Sequence, residues 1–365
     1  MHKSAAWPLA WVYVGLIFYA SLYPFADWRN QGIEPWGFLL APIPRYWTGF
    51  DVAINVVGYA PLGALLALAA LRSGHVRHAL WAPVVAAGLL ALLMENLQNY
   101  LPMRIPSRED WLLDTSGAAL GAISMWILSR LGAIDHWSQM RARWFTSESR
   151  GGIVLLLTWP LALIFPAAVP FGLGQVLERV DDALVALLEG TPFLDWFLVR
   201  RPDLQPLIPG AEMLCVLLGL LIPCLLGFCV IHTRKHRAVF VVLVVVAGCF
   251  VTALSAALSW GPEHAWSWLS APTQLGMGLA FLLALALVLI PWRGSAALLL
   301  LALGVHLSLL NQAPEGAYFA QTLQDWEQGR FIRFHGLAQW LGWLWPYAAL
   351  VYVMGLIWKE ESAIG

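Results

Sequence analysis

One short part of this chain, between residues 95 and 121, places polar residues in an otherwise apolar setting. Glu95 and Gln98 end one apolar run, and Asp110 and Asp114 begin the next. Polar groups at the inner ends of membrane spans are costly to bury and usually serve a function. A carboxyl group held in such a place can act as a general acid or base, or can carry a proton. We therefore predict a functional site here, with Glu95 and Asp110 as the candidate catalytic groups.

The turn that joins these two runs carries groups suited to hold an anion. Arg104 lies in this turn, and a guanidinium group binds phosphate or carboxylate through two parallel hydrogen bonds. Ser107 precedes Asp110 by three residues, which is the spacing of a capping box and predicts that Ser107 caps the following helix. A purely structural ion pair between Glu95 and Arg104 is the alternative to a functional site. The functional hypothesis is a pocket for an anionic, amphiphilic molecule of the cell envelope.

The second apolar run places further polar groups on one helix face. Asp51, Asn55 and Tyr59 are spaced four residues apart, so a helix aligns them. The alternative for Asp51 and Asn55 is that they only hold helices together, as intramembrane polar groups often do. Up–down connectivity brings the start of the second span, the end of the third and the start of the fourth to one membrane surface. The predicted binding site therefore comprises Asp51, Asn55, Tyr59, Glu95, Gln98, Arg104, Ser107, Asp110 and Asp114.

Composition excludes a water-soluble globular protein. Hydrophobic residues make up 60% of the chain and charged residues 12%, whereas soluble domains carry about 25% charged residues. Apolar runs long enough to cross roughly 30 Å of hydrocarbon recur along the whole chain. We predict an all-α, polytopic transmembrane helical bundle with about ten spans, at 8–24, 52–71, 79–100, 111–131, 151–170, 210–231, 238–260, 272–291, 295–311 and 335–358.

Charge and cysteine usage narrow the partners and the orientation. The net charge of −1 gives no electrostatic reason to expect nucleic acid, so membrane lipids or a lipid-linked envelope precursor are the expected partners. Lys and Arg are denser in the loops on the same side as the N-terminus, which predicts that both termini are cytoplasmic. The four cysteines lack metal-ligand spacing, and no motif predicts a metal site or a cofactor.

A polar, basic segment at 132–150 divides the predicted spans into two groups. It separates a four-span unit at 1–131 from a six-span unit at 151–365, and with both termini inside it is a cytoplasmic linker. Two predicted outer loops, at 175–189 and 315–328, carry apolar residues at helical spacing opposite polar ones. This pattern predicts an amphipathic helix in each loop.

The order of the motifs resembles the VanZ-like family over residues 8–131. Members of this family share a four-helix unit with Glu-x-x-Gln, then Arg, Ser, Asp and Asn, and then Gly-Ala and Gly. The residues that carry the resemblance are Asp51–Asn55–Tyr59–Pro61–Leu62–Gly63, Glu95–Gln98, Arg104–Ser107–Asp110 and Gly117–Ala118–Gly121. One position departs from the pattern, because Asp114 stands where the family commonly has Asn and adds a potential negative charge beside Asp110.

The resemblance implies a membrane protein of the bacterial envelope, since the family takes its name from a protein associated with resistance to the glycopeptide teicoplanin. We therefore expect a VanZ-like protein of the bacterial inner membrane whose outward-facing polar pocket binds a lipid or a lipid-linked envelope component and affects susceptibility to glycopeptides. Two other classes stay open: an intramembrane hydrolase or transferase acting on a lipid-linked substrate, and a proton-coupled transporter. No nucleophile motif supports the first, and the apolar stretches at 64–71, 82–93 and 122–128 disfavour the second.

Overall fold

The computed structural model describes the protein at residues 6–22, 25, 27–32, 34–40, 49–102, 104–146, 149–165, 167–194, 207–313 and 332–364. At 50, 51, 179, 182, 332–337 and 359–364 it describes the backbone only.

Twelve α-helices lie in this described part: α1 (Ala6–Leu22), α2 (Gly49–Arg72), α3 (Trp81–Gln98), α4 (Arg108–Arg130), α5 (Ala133–Trp144), α6 (Arg150–Ala162), α7 (Leu177–Leu188), α8 (Pro209–Val230), α9 (Arg234–Trp260), α10 (Ala271–Leu287), α11 (Trp292–Leu310) and α12 (Ile332–Ile364). Among the described residues there is no β-strand, so the all-α prediction is confirmed.

Seven helices are long and apolar enough to cross a membrane, by length and composition: α2, α3, α4, α8, α9, α11 and the 338–358 part of α12. The apolar helices α1, α6 and α10 are shorter, at 17, 13 and 17 residues. Each of the ten predicted runs thus contains one apolar helix, and the chain is a multi-pass membrane protein. The number of complete crossings stays a prediction.

The run predicted as a span at 151–170 differs most from the structure. Its helix, α6, ends at Ala162 after about 20 Å. This end lies two residues after Pro160, which is inside the helix and has no N–H group for a helical hydrogen bond. The described residues that follow, 163–165 and 167–176, are not helical, and the buried Phe171 has a φ of 62°. Irregular backbone inside a membrane must find partners within the protein. Ser255 Oγ accordingly donates to the Ile164 carbonyl at 2.7 Å.

The chain divides into two compact units, Met1–Met140 and Arg141–Gly365. In the N-terminal unit, Leu22, Leu62, Met94, Leu101 and Ala118 belong to a core formed by α1, α2, α3, the turn after α3, and α4. In the C-terminal unit the core surrounds α8, which is buried along nearly its whole length from Cys215 to Val230.

Predictions were also made for three segments between the spans, and the structure describes two of these segments. Helix α5 occupies most of the segment predicted as a linker at 132–150. Helix α7 lies inside the range 175–189, where an amphipathic helix is predicted. The second amphipathic helix, predicted at 315–328, lies outside the described residues.

Glycines bring α2 and α4 into close contact. A Cβ atom added at Gly63 would collide with the Ala118 carbonyl group, and one added at Gly121 would collide with the carbonyl group of Ala60. Only residues without a side chain permit this approach, which membrane helices use because dispersion contacts between backbones hold them together. The prediction that glycines of α4 allow close helix contact is confirmed.

Candidate functional site

Ser107 begins α4 and organises the polar groups around that helix terminus. Its backbone is extended, with φ −138° and ψ 133°, and its Oγ accepts the N–H of Asp110 at 3.2 Å. A capping serine in this way satisfies one of the N–H groups that the first helical turn leaves without a partner. The predicted cap is confirmed.

Glu95 completes the cap from the neighbouring helix. In a capping box the acidic residue three positions after the serine reaches back to the N–H of the serine. Here that N–H instead donates to Glu95 Oε2 of α3, at 2.7 Å. The carboxylate of Asp110 is therefore directed elsewhere, and its Oδ1 accepts Nδ2 of Asn55 in α2 at 2.8 Å.

These hydrogen bonds connect Asn55, Asp110, Ser107 and Glu95 in a continuous series, and we call these four residues the polar cluster. They join α2, α3 and α4 at the ends that the predicted topology places together. Glu95 is only 4% exposed, although it lies a turn inside the end of an apolar helix. Hydrogen bonds to a carboxylate are stronger than neutral ones, so the cluster fixes the mutual rotation of three helices.

Two more predicted residues lie next to the cluster. Asp114 is one turn beyond Asp110 in α4 and is 7% exposed. Tyr59 is one turn beyond Asn55 in α2 and is 5% exposed, and the carboxyl groups of Asp114 and Glu95 act on it electrostatically. The hydroxyl group of Tyr59 is buried and has no hydrogen-bond partner among the described residues. A buried hydroxyl group of this kind is costly unless something else binds it.

Three predicted site residues remain, Gln98, Arg104 and Asp51, and the structure describes the side-chain position of the first two. Gln98 Nε2 donates to the Ser21 carbonyl at 3.3 Å, and thereby ties α3 to α1 instead of to the polar cluster. Arg104 is half-buried in the turn after α3, where its N–H donates to Leu101 O at 3.0 Å. Asp51 belongs to α2, but its side chain lies outside the described residues.

Glu109 and Trp111 are part of this region, although neither was among the predicted site residues. Glu109 Oε2 accepts the Ser107 hydroxyl group at 2.9 Å, and its Oε1 lies 3.6 Å from Arg108. Trp111 Nε1 donates to the Gly88 carbonyl at 2.9 Å, which fixes α4 against α3. An acid in the first turn of a helix is the signal that identifies Glu109, because it suits the positive end of the helix dipole.

The arrangement offers both hydrogen-bond acceptors and a donor to a ligand. Glu95 and Asp110 carry carboxyl groups that are already oriented by Ser107 and Asn55, and Tyr59 provides the hydroxyl group without a partner.

Comparison with known proteins yields a family match for the N-terminal part of the chain. No curated protein and no solved structure matches the chain. The family model described as VanZ/LLP1 matches residues 7–129, which run from the start of α1 almost to the end of α4. This multi-pass membrane protein therefore carries a VanZ-like N-terminal unit.

Proposed function

We propose that the N-terminal unit binds a lipid or a lipid-linked envelope component in the bacterial inner membrane, with the polar cluster holding the head group. The observation that carries the proposal is the hydrogen-bonded series from Glu95 through Ser107 and Asp110 to Asn55. Glycines already bring α2 and α4 into close contact, so their approach does not require the carboxyl groups of Glu95 and Asp110. Burying the polar cluster costs desolvation energy, and we attribute the presence of these polar groups to the binding of a ligand.

The proposal includes an outward-facing cluster with both termini in the cytoplasm. The density of Lys and Arg in the predicted inner loops supports this orientation. A site at the outer surface meets envelope components directly, and the VanZ-like match extends the proposal to the response to glycopeptides such as teicoplanin.

The proposed head-group site is tested with Glu95→Gln in the full-length protein. Glutamine retains an oxygen that accepts the Ser107 N–H, so the helices stay in place while the charge is lost. Native mass spectrometry of the protein in mild detergent should show a lipid on the wild type and its loss from Glu95→Gln. The matched control is Glu212→Gln in α8, which removes a carboxylate that accepts the hydroxyl of Ser270 at 2.8 Å in the other unit.

A purely structural role of Glu95 predicts a different result for the same variant. If Glu95 serves only the fold, Glu95→Gln lowers the free energy of unfolding by about 1–1.5 kcal/mol, because a charge-assisted hydrogen bond becomes a neutral one. Unfolding in mixed detergent, followed by circular dichroism, measures that loss. A destabilised variant with an unchanged lipid profile would refute the proposed role of Glu95.

Orientation is tested separately with single cysteines in a variant that lacks the four native ones. Ile105→Cys lies in the turn before α4, where Ile105 is 87% exposed, and Ser138→Cys lies on exposed α5. A membrane-impermeant maleimide should label position 105 and not position 138 in intact cells. Labelling at 138 alone would reverse the orientation.

A further inference from the structure

The C-terminal unit holds the end of α5 beside the turn between α8 and α9. This turn, at 231–233, joins two helices that are long and apolar enough to cross a membrane. Phe145, which follows α5, forms an isolated antiparallel bridge with Ile231, and the N–H of His232 donates to the Trp144 carbonyl at 3.0 Å. The last turn of α5 and the first turn of α9 therefore lie side by side, where two candidate spans end.

Two side chains at the start of α9 fix this arrangement. The ring of His236 stacks on the ring of Trp144, with 4.3 Å between the ring centroids and 11° between the planes. The buried guanidinium of Arg237 donates to the carbonyl groups of Phe228 and Ile231 at the end of α8, at 2.6 and 3.1 Å. Trp side chains are enriched at the boundary between membrane and water. The end of α5 is thus part of a rigid frame at the expected level of the lipid head groups.

Three exposed cations lie on this frame, and we call them the basic patch: Arg143 of α5, and Arg234 and Lys235 of α9. None of the three has an ion-pair partner among the described residues. Guanidinium and ammonium groups carry only hydrogen-bond donors, and these bind most strongly to an anion. The basic patch is therefore suited to a ligand with negatively charged oxygens.

The basic patch places positive charge at the helix terminus that least favours it. Helix α9 has no acidic residue in its first turn, although the N-terminal end of a helix dipole is positive. Among the described residues at 136–146 and 213–262 there is no Asp or Glu, and Glu148 lies outside the described residues. The charge of Arg234 also acts on the neighbouring buried cation Arg237. An anion bound at the basic patch would offset this repulsion.

We propose that the basic patch binds the phosphate group of an anionic glycerophospholipid. This site lies in the C-terminal unit and is independent of the proposed head-group site in the N-terminal unit. Its depth supports the proposal, because the three cations lie where two candidate spans end, which is the level of the phosphates of a bilayer. Charge complementarity also supports it, since the ammonium group of a zwitterionic lipid cancels the charge that the patch attracts. An anionic lipid is therefore the class that fits.

The alternative is that these cations only orient the protein, because Lys and Arg accumulate in cytoplasmic loops whether or not they bind a ligand. In that case exposed arginines at other helix ends are equivalent to the basic patch. Arg72, Arg77 and Arg130 of the N-terminal unit are exposed and lie at or after the ends of α2 and α4. We call these three the control set, because they carry the same total charge.

The test adds dioleoylphosphatidylglycerol to the full-length protein in mild nonionic detergent, with an equal amount of dioleoylphosphatidylethanolamine as competitor. Native mass spectrometry counts the bound lipids, and the wild type should hold one phosphatidylglycerol that the competitor does not displace. The triple variant Arg143→Gln, Arg234→Gln and Lys235→Gln should weaken this binding at least about tenfold, because each Lys or Arg beside an anionic lipid contributes about fivefold. Gln at all three positions of the control set should leave it unchanged.

Thermal unfolding in the same detergent, followed by circular dichroism, shows whether the triple variant folds. Without added lipid its midpoint should equal or exceed that of the wild type, because Arg234→Gln and Lys235→Gln remove charge from the positive end of a helix dipole. Phosphatidylglycerol should raise the midpoint of the wild type and of the control variant, since a ligand that binds the native state stabilises it. It should raise the midpoint of the triple variant clearly less.

Equal loss of phosphatidylglycerol from the triple variant and from the control variant would overturn the inference, because it would show a general attraction by surface charge. Displacement by phosphatidylethanolamine, or an equal rise of the midpoint in the triple variant, would overturn it as well. So would displacement by an excess of a single-stranded oligonucleotide, which would assign the basic patch to nucleic acid. Glu95→Gln, which tests the head-group site in the other unit, should retain this phosphatidylglycerol.

Discussion

The close contact of α2 and α4 at Gly117 determines whether the polar cluster can form. A methyl group added at Gly117 would collide with the Val56 carbonyl group and lie 2.8 Å from Val56 Cα. Ordinary van der Waals contact begins at 3.4 Å, so the contact with Val56 Cα alone requires the two backbones to move apart by about 0.6 Å, and the closer carbonyl oxygen requires more. We expect this substitution to disturb both the helix packing and the neighbouring site.

The magnitude follows from the position of Asn55, directly before Val56. Its Nδ2 lies 2.8 Å from Asp110 Oδ1, and a shift of about 0.6 Å lengthens that distance to about 3.4 Å, the limit of a useful hydrogen bond. Overpacking costs about 1–3 kcal/mol and a lost bond to a charged group about 1.5–3 kcal/mol, while alanine gains about 1 kcal/mol over glycine in a helix. We expect Gly117→Ala to lower the free energy of unfolding by about 2–4 kcal/mol.

The matched control is Gly58→Ala in α2, where an added methyl group meets nothing within 4 Å. This control should be as stable as the wild type or more stable by up to about 1 kcal/mol. Both full-length variants are unfolded by titrating SDS into mixed micelles, with helicity followed by circular dichroism. If Gly117→Ala unfolds at the same SDS fraction as Gly58→Ala, then α2 and α4 do not approach each other as closely as described, and the reasoning fails.

Two further predictions concern side chains of the C-terminal unit that hydrogen-bond to backbone groups. Asn311→Leu should destabilise it by about 1–3 kcal/mol in SDS unfolding, because Asn311 Oδ1 accepts the N–H groups of Val176 and Leu177 at 3.1 Å each; an unchanged transition would contradict this. Arg237→Lys should cost about 3 kcal/mol or more, because the buried guanidinium donates to four backbone carbonyls at the ends of α8 and α10, and a lysine cannot reach them all. The control is Arg234→Lys at an exposed position of the same helix, which should change the free energy of unfolding by less than about 0.5 kcal/mol. Equal effects of the two substitutions would show that the four hydrogen bonds of Arg237 do not contribute to stability.

Local features of the fold and of the site were readable from the sequence because neighbouring residues determine them. Apolar length predicted where the helices lie, and the spacing of Ser107 and Asp110 predicted the cap of α4. The glycines of α4, Gly117 and Gly121, indicated its contact face. In each case the interaction joins residues within a few helical turns, or depends only on the absence of a side chain.

The run at 151–170 shows where composition alone is insufficient. Its hydropathy predicts a span, but helix α6 ends at Ala162. The backbone beyond α6 is stable because distant side chains bind it, including Asn311, whose Nδ2 donates to the Gly174 carbonyl at 3.2 Å. Hydropathy measures the preference of a segment for lipid, and it carries no information about partners more than a hundred residues away.

The sequence by itself determined that this is an all-α, multi-pass membrane protein, since composition and helical period reflect the solvent around each segment. The order of its motifs, by resemblance, indicated the VanZ-like N-terminal unit. Only the tertiary structure decided which polar groups meet: Glu95 accepts the Ser107 N–H, Asp110 binds Asn55, and Gln98 turns to α1. Helical period gives the face on which a side chain lies, but the rotation and separation of packed helices select its partner. That choice depends on glycines such as Gly63, which let α2 and α4 come within reach of each other.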